Sequence, residues 1–513
     1  MLTKSFLLTA ALAVAATTSL SGSYAYGGSE SCDTRVNNTR AKLLECITLD
    51  GVRRHQAALQ SVADANGGNR QAGTSGYDAS VDYIVDSLES AGYTPELHEF
   101  DFLFLPPSTL TQTAPTQIEH ATGTFTGSGS GTVAGNVIPV GLNLTDPGLS
   151  TSGCFNSIVD DYVIPALDFS GPNDIALIQR GGCFFSEKAL IAQIVGAEAV
   201  VIMNNGMPGQ TELIVSNAST LPDGSPSGLT VPVVGASFSS GISLAQPGST
   251  AIVDAPAITQ ITQVNVLAEL PGINSDNIVM VGSHLDSVAT GPGVQDNGSG
   301  NAAVLETAIQ MAKVKPHNTV RFAWWGAEEA GLVGSINYVF GLSEEERNRI
   351  ALYLNFDMIG SPNPVLFVYD GDDSDGVGAG PGPEGSAQIE ALFEEFYTQV
   401  GVPYKGTDFS GRSDYGPFIY FGIPAGGLFT GAEGLKTPDE AAIWGGVAGL
   451  QYDPCYHLAC DTFDNISLPV LFLNSNAVAF ATLQYAMNTE TVNRVRGKGN
   501  YKLKDFLDEE VME

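Results

Sequence analysis

Three apolar runs in the second half of the chain predict buried β-strands. Residues 277–282 (NIVMVG), 319–325 (TVRFAWW) and 351–356 (ALYLNF) are almost continuously hydrophobic, as is typical of parallel strands that are covered on both faces. Earlier in the chain, residues 80–91 have the pattern of an amphipathic helix and residues 174–205 read as strand, helix, strand. Alternation of buried strands with helices predicts the α/β class.

Each of the three apolar runs is followed by side chains that bind metals. These candidates, together with one later histidine in the sequence DPCYHLACD, are His284, Asp296, Glu328, Glu329, Asp357 and His457. Because the carboxyl ends of parallel strands open onto the ligand-binding edge of a sheet, we expect these side chains to lie close together. Nitrogen and oxygen ligands of this kind suit zinc. Two adjacent glutamates also allow one to bind the metal while the other acts as general base toward a water molecule.

At these residues the chain resembles the zinc-dependent M28 aminopeptidases, of the secreted leucyl aminopeptidase and aminopeptidase Y type. The motifs that carry the resemblance are SHLDS at 283–287, QDNGSG at 295–300, WGAEEAGLVGS at 325–335, LNFDMIG at 354–360, RSDYGPF at 412–418, GLFTGAEG at 427–434 and CYHLACD at 455–461. The resemblance implies a three-layer α/β/α sandwich with a mixed, mainly parallel sheet, and release of the amino-terminal residue, apolar residues such as leucine first, from peptides.

The resemblance also implies two zinc ions per chain and a division of the ligands between them. Asp296 bridges the two ions, His284 and Asp357 complete one site, and Glu329 and His457 complete the other. Glu328 is then the general base. The peptide bond that follows Asp296 is expected to be cis.

Four further residues are assigned roles by the same resemblance. Asp286 accepts the ring N–H of His284 and fixes its tautomer. Tyr456 stabilises the transition state, Arg412 binds substrate, and Phe429 forms a wall of an apolar pocket for the substrate side chain. The four remaining histidines lie in polar contexts where we expect them to be solvated, and they are His55, His98, His120 and His317.

Composition shifts along the chain predict an interrupted catalytic domain. We expect a signal peptide at 1–25, the first part of the peptidase domain at 26–125, an inserted β-rich domain resembling a protease-associated (PA) domain at 126–256, the main peptidase part at 257–490, and a tail of unknown role at 491–513. The tail sequence is equally compatible with a docking helix, a removable propeptide or disorder. For the insert, a lid that narrows access is favoured over a specific protein-binding role.

Cysteine usage and charge bound the compartment and the partners. Six cysteines allow 15 pairings, and proximity favours Cys32–Cys46, Cys154–Cys183 and Cys455–Cys460. Disulfides and a signal peptide predict a secreted protein, extracellular or, depending on the source, periplasmic or vacuolar. A net charge of −34 makes nucleic acid and anionic membranes unfavourable partners. We expect a monomer that acts on peptides with a free amino terminus.

Two other functions remain compatible with the sequence. A different enzyme with the same fold, such as a carboxypeptidase or a glutaminyl cyclase, is one, although the cyclases use one zinc ion and all five ligand positions of a dinuclear site are filled here. A binding protein that kept the fold and lost the chemistry is the other.

Overall fold

The structure is a computed structural model that describes residues 32, 34–154, 169, 171–378 and 380–494. The expected signal peptide at 1–25 and residues 495–513 of the tail lie outside the described residues.

The chain opens with three helices and one long strand. They are α1 (Arg40–Cys46), α2 (Leu49–Ala65), α3 (Ser75–Ala91) and β1 (Glu96–Phe104). Thr39 and Thr48 cap the first two helices, since their side chains accept from the main-chain N–H groups of Lys42 and Gly51. Gly92 ends α3 in the left-handed conformation, at φ 98°.

A second group of elements follows β1 and forms a sheet of its own. Its members are β2 (Thr109–Ala114), β3 (Ile118–His120), β4 (Gly131–Pro139), a 3₁₀ turn (Pro147–Leu149), β5 (Ile175–Gln179), α4 (Phe185–Ile194), β6 (Ala199–Met203), β7 (Val233–Ala236), α5 (Phe238–Leu244) and β8 (Thr250–Ala255). The strand order is β3-β2-β8-β4-β5-β6-β7. The predicted strand, helix and strand over 174–205 are confirmed as β5, α4 and β6.

The start of this second sheet differs from the expected boundary at residue 126. Strands β2 and β3 pair with each other and β2 pairs with β8, so residues 109–120 belong to the second sheet and not to the peptidase part at 26–125. The expectation was wrong here because composition marks the polar stretch from 102 to 143 but does not show which strands pair across it.

The rest of the chain lies with the first three helices and β1, and not with the second sheet. Its elements are β9 (Thr259–Leu270), β10 (Asn274–His284), α6 (Gly298–Met311), β11 (Asn318–Trp325), α7 (Val333–Gly341), α8 (Glu344–Arg349), β12 (Ile350–Phe356), β13 (Phe367–Tyr369), α9 (Ser386–Val400), β14 (Lys405–Thr407), α10 (Gly416–Tyr420), β15 (Ala425–Phe429), α11 (Pro438–Trp444), α12 (Leu468–Met487) and α13 (Glu490–Asn493).

These strands and β1 form an eight-stranded mixed sheet in the order β1-β9-β11-β10-β12-β15-β13-β14. The four central strands, β11, β10, β12 and β15, run parallel. Antiparallel pairing occurs on either side of them, where β9 meets β11 and β13 meets β15. The three apolar runs of the sequence are β10, β11 and β12, in the middle of this sheet.

Helices cover both faces of the sheet. Along β10, Val279 and Val281 point into a large core shared with α2, α3, α6, α9 and α12. The alternate residues, Ile278 and Met280, point into a second core with Trp325 and residues of α7 and α10. Side chains alternate between faces along a strand, and here both faces are buried. This arrangement is the predicted three-layer α/β/α sandwich.

Candidate metal centre and active site

The ends of the central strands bring the candidate ligands together. His284 is the last residue of β10, Asp357 comes directly after β12, and Glu328 and Glu329 come three and four residues after β11. Asp296 lies two residues before α6. All these strands run parallel, so their carboxyl ends meet at one edge of the sheet.

Asn297 fixes the position of Asp296 relative to β12. Its side-chain oxygen caps α6 by accepting from Gly300 N at 2.9 Å, and also accepts from Met358 N at 3.2 Å. Its amide donates to the carbonyl of Phe356 at 3.0 Å. The peptide bond between Asp296 and Asn297 is cis, as the resemblance implied. The start of α6 is therefore tied to the strand end that carries Asp357.

Two groups of side chains share Asp296. One carboxylate oxygen, Oδ1, lies 3.2 Å from Nε2 of His284, which is also 3.2 Å from Oδ1 of Asp357. The other oxygen, Oδ2, lies 3.3 Å from Nε2 of His457, which is 3.0 Å from Oε2 of Glu329. His284, Asp296 and Asp357 thus form one three-residue group of potential metal-binding atoms, and Asp296, Glu329 and His457 form another.

Carboxylates draw protons onto both histidines. Burial alone lowers the pKa of His457, but its contacts with Asp296 and Glu329 outweigh burial and raise the pKa to about 10. Burial also opposes protonation of His284, yet the charges of Asp357 and Glu328 raise its pKa well above the ordinary value. A divalent cation competes with these protons for the same nitrogen atoms.

Burial shifts the pKa of a carboxyl group in the opposite direction, upward, because it disfavours the charged form. It raises the pKa of Glu328 well above the ordinary range and, together with the charge of Asp296, raises that of Glu329 to about 7. Asp296 is the exception, because its contacts with the two histidines outweigh burial and lower its pKa. Of these three carboxyl groups, the shared one is thus the one held in its charged form.

Three residues at the site have a left-handed backbone conformation, which is uncommon outside glycine. Ala327 precedes Glu328 with φ 54°, Met358 follows Asp357 with φ 52°, and His457 itself has φ 57°. Such conformations are energetically costly and cluster at functional sites. There they point side chains in directions that a regular helix or strand does not allow. The sharp turns of the chain here direct ligand side chains toward Asp296.

The His457 turn is held by a disulfide and a buried carboxylate. Cys455 and Cys460 are bonded, as proximity favoured, and so are the other two predicted pairs, Cys32–Cys46 and Cys154–Cys183. Directly after this turn, the carboxylate of Asp461 accepts from the main-chain N–H groups of Gln295 and Asp296 at 2.7 and 2.9 Å. The segment that carries His457 is therefore linked to the backbone of Asp296.

Asp286 contacts His284 mainly through a different atom from the one expected. Its main-chain carbonyl lies 3.2 Å from Nδ1 of His284, whereas its nearest carboxylate oxygen lies 3.7 Å away. The carboxylate instead accepts from the main-chain N–H groups of Glu328 and Glu329, at 3.1 and 3.3 Å. Asp286 thus orients the histidine with its backbone and the two glutamates with its side chain.

The remaining predicted residues line one open cleft above the ligands. Tyr456 stacks on the ring of His457 with centroids 3.8 Å apart, and burial together with nearby carboxylates raises the pKa of its hydroxyl. Arg412 is largely exposed and pairs with Glu433 at 3.0 Å.

Phe429 ends β15, stacks on Phe367 and lines the cleft. The apolar and aromatic lining next to Phe429 comprises Met358, Tyr369 and Tyr415.

The donor set fits zinc. It consists of two imidazole nitrogens and carboxylate oxygens, which zinc accepts together. One buried oxygen of Glu329, Oε1, has no hydrogen-bond partner, and an orphaned acceptor of this kind is costly unless a cation or a water satisfies it. Glu328 faces the same centre, with Oε2 3.9 Å from Nε2 of His284.

Sequence reasoning missed several residues that support this site. Ser413 donates to Oδ2 of Asp357 at 2.7 Å and accepts from Asn355 at 2.9 Å. Asp414 is fully buried, and burial raises its pKa to about 7. Both lie in the quoted motif RSDYGPF, and Asp461 lies in CYHLACD, so the motifs contained them but did not indicate their contacts.

Comparison with known proteins places the chain among peptidases. The model of peptidase family M28 matches residues 265–482, and that of the PA domain matches residues 133–244. An aminopeptidase from Pseudomonas aeruginosa is 43% identical over 468 residues, which cover 89% of this chain and 84% of the relative. Leucine aminopeptidase 2 from Trichophyton equinum is 38% identical over 463 residues, covering 87% and 86%. A solved zinc aminopeptidase from Bacillus subtilis is 25% identical, with a TM-score of 0.61 over 88% of this chain and 98% of that one.

Proposed function

The chain belongs to peptidase family M28 and is a metallo-aminopeptidase, and from that premise we propose that it uses two zinc ions, bridged by Asp296, to release apolar amino-terminal residues from peptides outside the cell. His284 and Asp357 complete one metal site, and Glu329 and His457 complete the other.

The sharing of Asp296 between two ligand groups is the observation that supports this proposal most directly. Its two oxygens lie 3.2 and 3.3 Å from the ring nitrogens of His284 and His457. A carboxylate that presents one oxygen to each of two histidine-containing groups has the arrangement that a two-metal site requires. The orphaned oxygen of Glu329 supports a cation on the His457 side.

The residues around these ligands have separate roles in hydrolysis. Zinc ions bound here would polarise the scissile carbonyl and acidify a water molecule. Burial raises the pKa of Glu328 in the metal-free chain, but the positive charge of zinc bound beside it would favour the carboxylate form. That carboxylate would accept a proton from the attacking water and return it to the leaving amine. Because the pKa of Tyr456 is raised, its hydroxyl stays protonated and donates to the oxygen on which negative charge develops.

The cleft explains the proposed choice of substrate. Phe429, Met358, Tyr369 and Tyr415 offer an apolar surface to the first side chain of the peptide. The carboxylates of the site favour a positively charged amino terminus over a blocked one. The similarity to a leucine aminopeptidase and this apolar lining both support leucine as a preferred first residue.

Secretion is part of the proposal. Three disulfides are formed among the described residues, and disulfides persist mainly in oxidising compartments. No helix among the described residues is both long and apolar enough to cross a membrane.

Hydrolysis of leucine p-nitroanilide by the purified protein tests the proposed function. We expect cleavage of the free-amine substrate and no cleavage of acetyl-leucine p-nitroanilide. Glu328→Gln should lower kcat by roughly 10²- to 10⁴-fold, the usual contribution of a general base, with the zinc content unchanged.

A buried carboxylate elsewhere provides the matched control. Glu440 pairs with Lys405 at 2.7 Å, and neither residue lines the cleft, so Glu440→Gln should change stability but leave kcat intact. Equal cleavage of the free and acetylated substrates would argue against an aminopeptidase. An active Glu328→Gln variant would rule out the proposed base.

A further inference from the structure

Arg70 is a buried cation beside the proposed metal centre. It lies in the loop between α2 and α3, and its side chain is fully buried at 0% exposure. Burial lowers its pKa to about 10, so it stays charged at neutral pH. Charged side chains are almost never fully buried without specific partners.

The partners of Arg70 lie in residues 285–295, which we call the ligand-joining segment because it connects His284 to Asp296. The guanidinium donates to the carbonyl of Leu285, directly after His284. It also donates from Nε to the carbonyl of Pro292 at 2.9 Å and from Nη2 to that of Gly293 at 2.6 Å. One planar side chain therefore spans both ends of the segment.

Main-chain contacts add to this hold. The N–H of Arg70 donates to Ser287 Oγ at 2.9 Å, and the N–H of Ser287 donates to the Arg70 carbonyl at 3.3 Å. Ser287 Oγ in turn lies 3.0 Å from the carbonyl of Gly291. Gly293 is required where it packs against this network, because a Cβ there would lie 2.4 Å from the carbonyl of Asp296 and 3.2 Å from the guanidinium.

The segment depends on such outside partners. Every residue of 285–295 is described, and none of them lies in a helix or strand. The polar backbone groups of the segment must therefore find partners elsewhere. Arg70 satisfies carbonyls along it, and Asp461 satisfies the N–H groups of Gln295 and Asp296 at its far end. The distance between His284 and Asp296 is thus set by contacts from other parts of the chain.

The guanidinium of Arg70 donates to carbonyl groups, and this leaves the carboxylates of the site free to bind metal. Asp286, Asp461 and Asp296 are close enough to act on the charge of Arg70, yet its side-chain hydrogen bonds described above go to carbonyls. A guanidinium bonded to Asp296 would occupy oxygens that the metal ions need. Bonded to carbonyls, it adds positive charge beside the carboxylates and also fixes the backbone.

We propose that Arg70 is a positioning residue of the metal centre, which holds the ligand-joining segment so that His284 and Asp296 bind the same zinc ion. The proposal rests on the dinuclear zinc function proposed above. Lysine preserves the charge but lacks the planar fork that reaches several carbonyls at once, whereas glutamine removes both.

Zinc affinity of Arg70→Lys and Arg70→Gln, measured by competition with a chromophoric chelator, tests this role. Loss of a residue that orients ligands typically weakens metal binding by 10- to 100-fold. We expect about that loss for Arg70→Gln and a smaller loss for Arg70→Lys. Substitution of cobalt for zinc provides a second readout, since the visible absorption bands of cobalt report ligand geometry and should change in both variants.

Arg347→Gln is the matched control. The Arg347 side chain also donates to main-chain carbonyls, those of Val339 and Leu342, but at the carboxyl-terminal end of α7. Its loss should lower the melting temperature without changing zinc affinity or the cobalt spectrum. If Arg70→Gln does not fold, Arg70→Lys decides.

Zinc affinities within twofold of the unaltered protein, with an unchanged cobalt spectrum in a folded Arg70 variant, would overturn the proposal. The zinc stoichiometry of the unaltered protein, measured in the same titration, tests the dinuclear function separately. Two bound zinc ions with no effect of Arg70 would contradict only the positioning role. Fewer than two would contradict the function on which it rests.

Discussion

At the scale of single residues, protons and metal ions compete for the same histidines. His457 lies between Asp296 and Glu329 at 3.3 and 3.0 Å, and these contacts raise its pKa from 6.5 to about 10. In the metal-free chain the protonated ring stabilises the fold. This contribution is complete below pH 6.5 and is lost as the pH rises toward 10.

Zinc binding should therefore release protons. Because both His284 and His457 have raised pKa values, we expect at least two protons to leave per chain when the metal-free protein binds zinc near pH 7. The carboxyl group of Glu329, whose pKa is raised to about 7, adds to this count. Zinc affinity should rise with pH across the neutral range. Calorimetric titrations in two buffers with different ionisation enthalpies measure the proton count, and a count near zero would contradict the proposed histidine ligands.

The sequence predicts these residues better than their contacts. His284, Asp296, Glu329, Asp357 and His457 could be selected because each follows a strand or lies in a motif. The atoms that meet could not, since they depend on backbone turns that the sequence does not reveal. Asp286 illustrates this, because its carbonyl and not its carboxylate is nearer to the His284 ring.

His55 shows the same limit away from the site. It was expected in solvent because its neighbours in the sequence are polar, but it is buried between Tyr83 and Glu306, at 2.6 and 3.0 Å. Polar partners that are distant in the sequence make its burial possible, and a local pattern does not show them.

At the scale of elements, the two disulfides lie in different parts of the fold. The Cys455–Cys460 turn positions Tyr456 and His457 at the site, whereas Cys154–Cys183 lies among the elements of the second, seven-stranded sheet. The two disulfides close loops of 5 and 29 residues. Loop-closure entropy assigns them stabilities of about 2 and about 3.6 kcal/mol, respectively. The Cys455–Cys460 disulfide is therefore expected to contribute less to stability but more to function than Cys154–Cys183.

Replacing each pair with serine should reveal this reversal. Cys455→Ser with Cys460→Ser should cost less stability but weaken zinc binding and activity, because His457 loses its rigid turn. Cys154→Ser with Cys183→Ser should cost more stability and leave leucine p-nitroanilide hydrolysis unchanged. Melting temperature and kcat/KM of the two double variants measure both effects, and full activity in the first variant would show that the turn needs no disulfide.

Element types were largely predictable and strand partners were not. The apolar runs identified β10, β11 and β12 because buried central strands have a simple pattern. The short polar strands β2 and β3 were placed in the wrong unit. They pair with each other locally, but the pairing of β2 with β8 joins residues more than a hundred positions apart, such as Leu110 and Val253.

At the scale of the whole molecule, the insert leaves and rejoins the catalytic sheet at one point. Strands β1 and β9 are antiparallel neighbours, and Phe104 pairs with Thr259 at the end where the insert begins and ends. The catalytic sheet is thus continuous without residues 105–258. We propose that the insert limits which peptides reach the cleft.

Replacing residues 105–258 with an Asn-Gly turn, which suits a two-residue hairpin, should leave a folded protein that binds zinc and hydrolyses leucine p-nitroanilide. If the insert narrows access, kcat/KM for a peptide of about 20 residues should rise relative to the small substrate. An unchanged ratio would contradict the lid role, and loss of folding would show that the insert supports the catalytic unit.

The most direct test of the dinuclear centre is the zinc content of the purified protein and of three single variants, measured by elemental analysis after dialysis. We predict two zinc ions per chain, one in His284→Ala, one in His457→Ala and fewer than one in Asp296→Ala, since Asp296 contacts both histidines. A single zinc ion in the unaltered protein, or two zinc ions retained without Asp296, would contradict a centre bridged by this carboxylate.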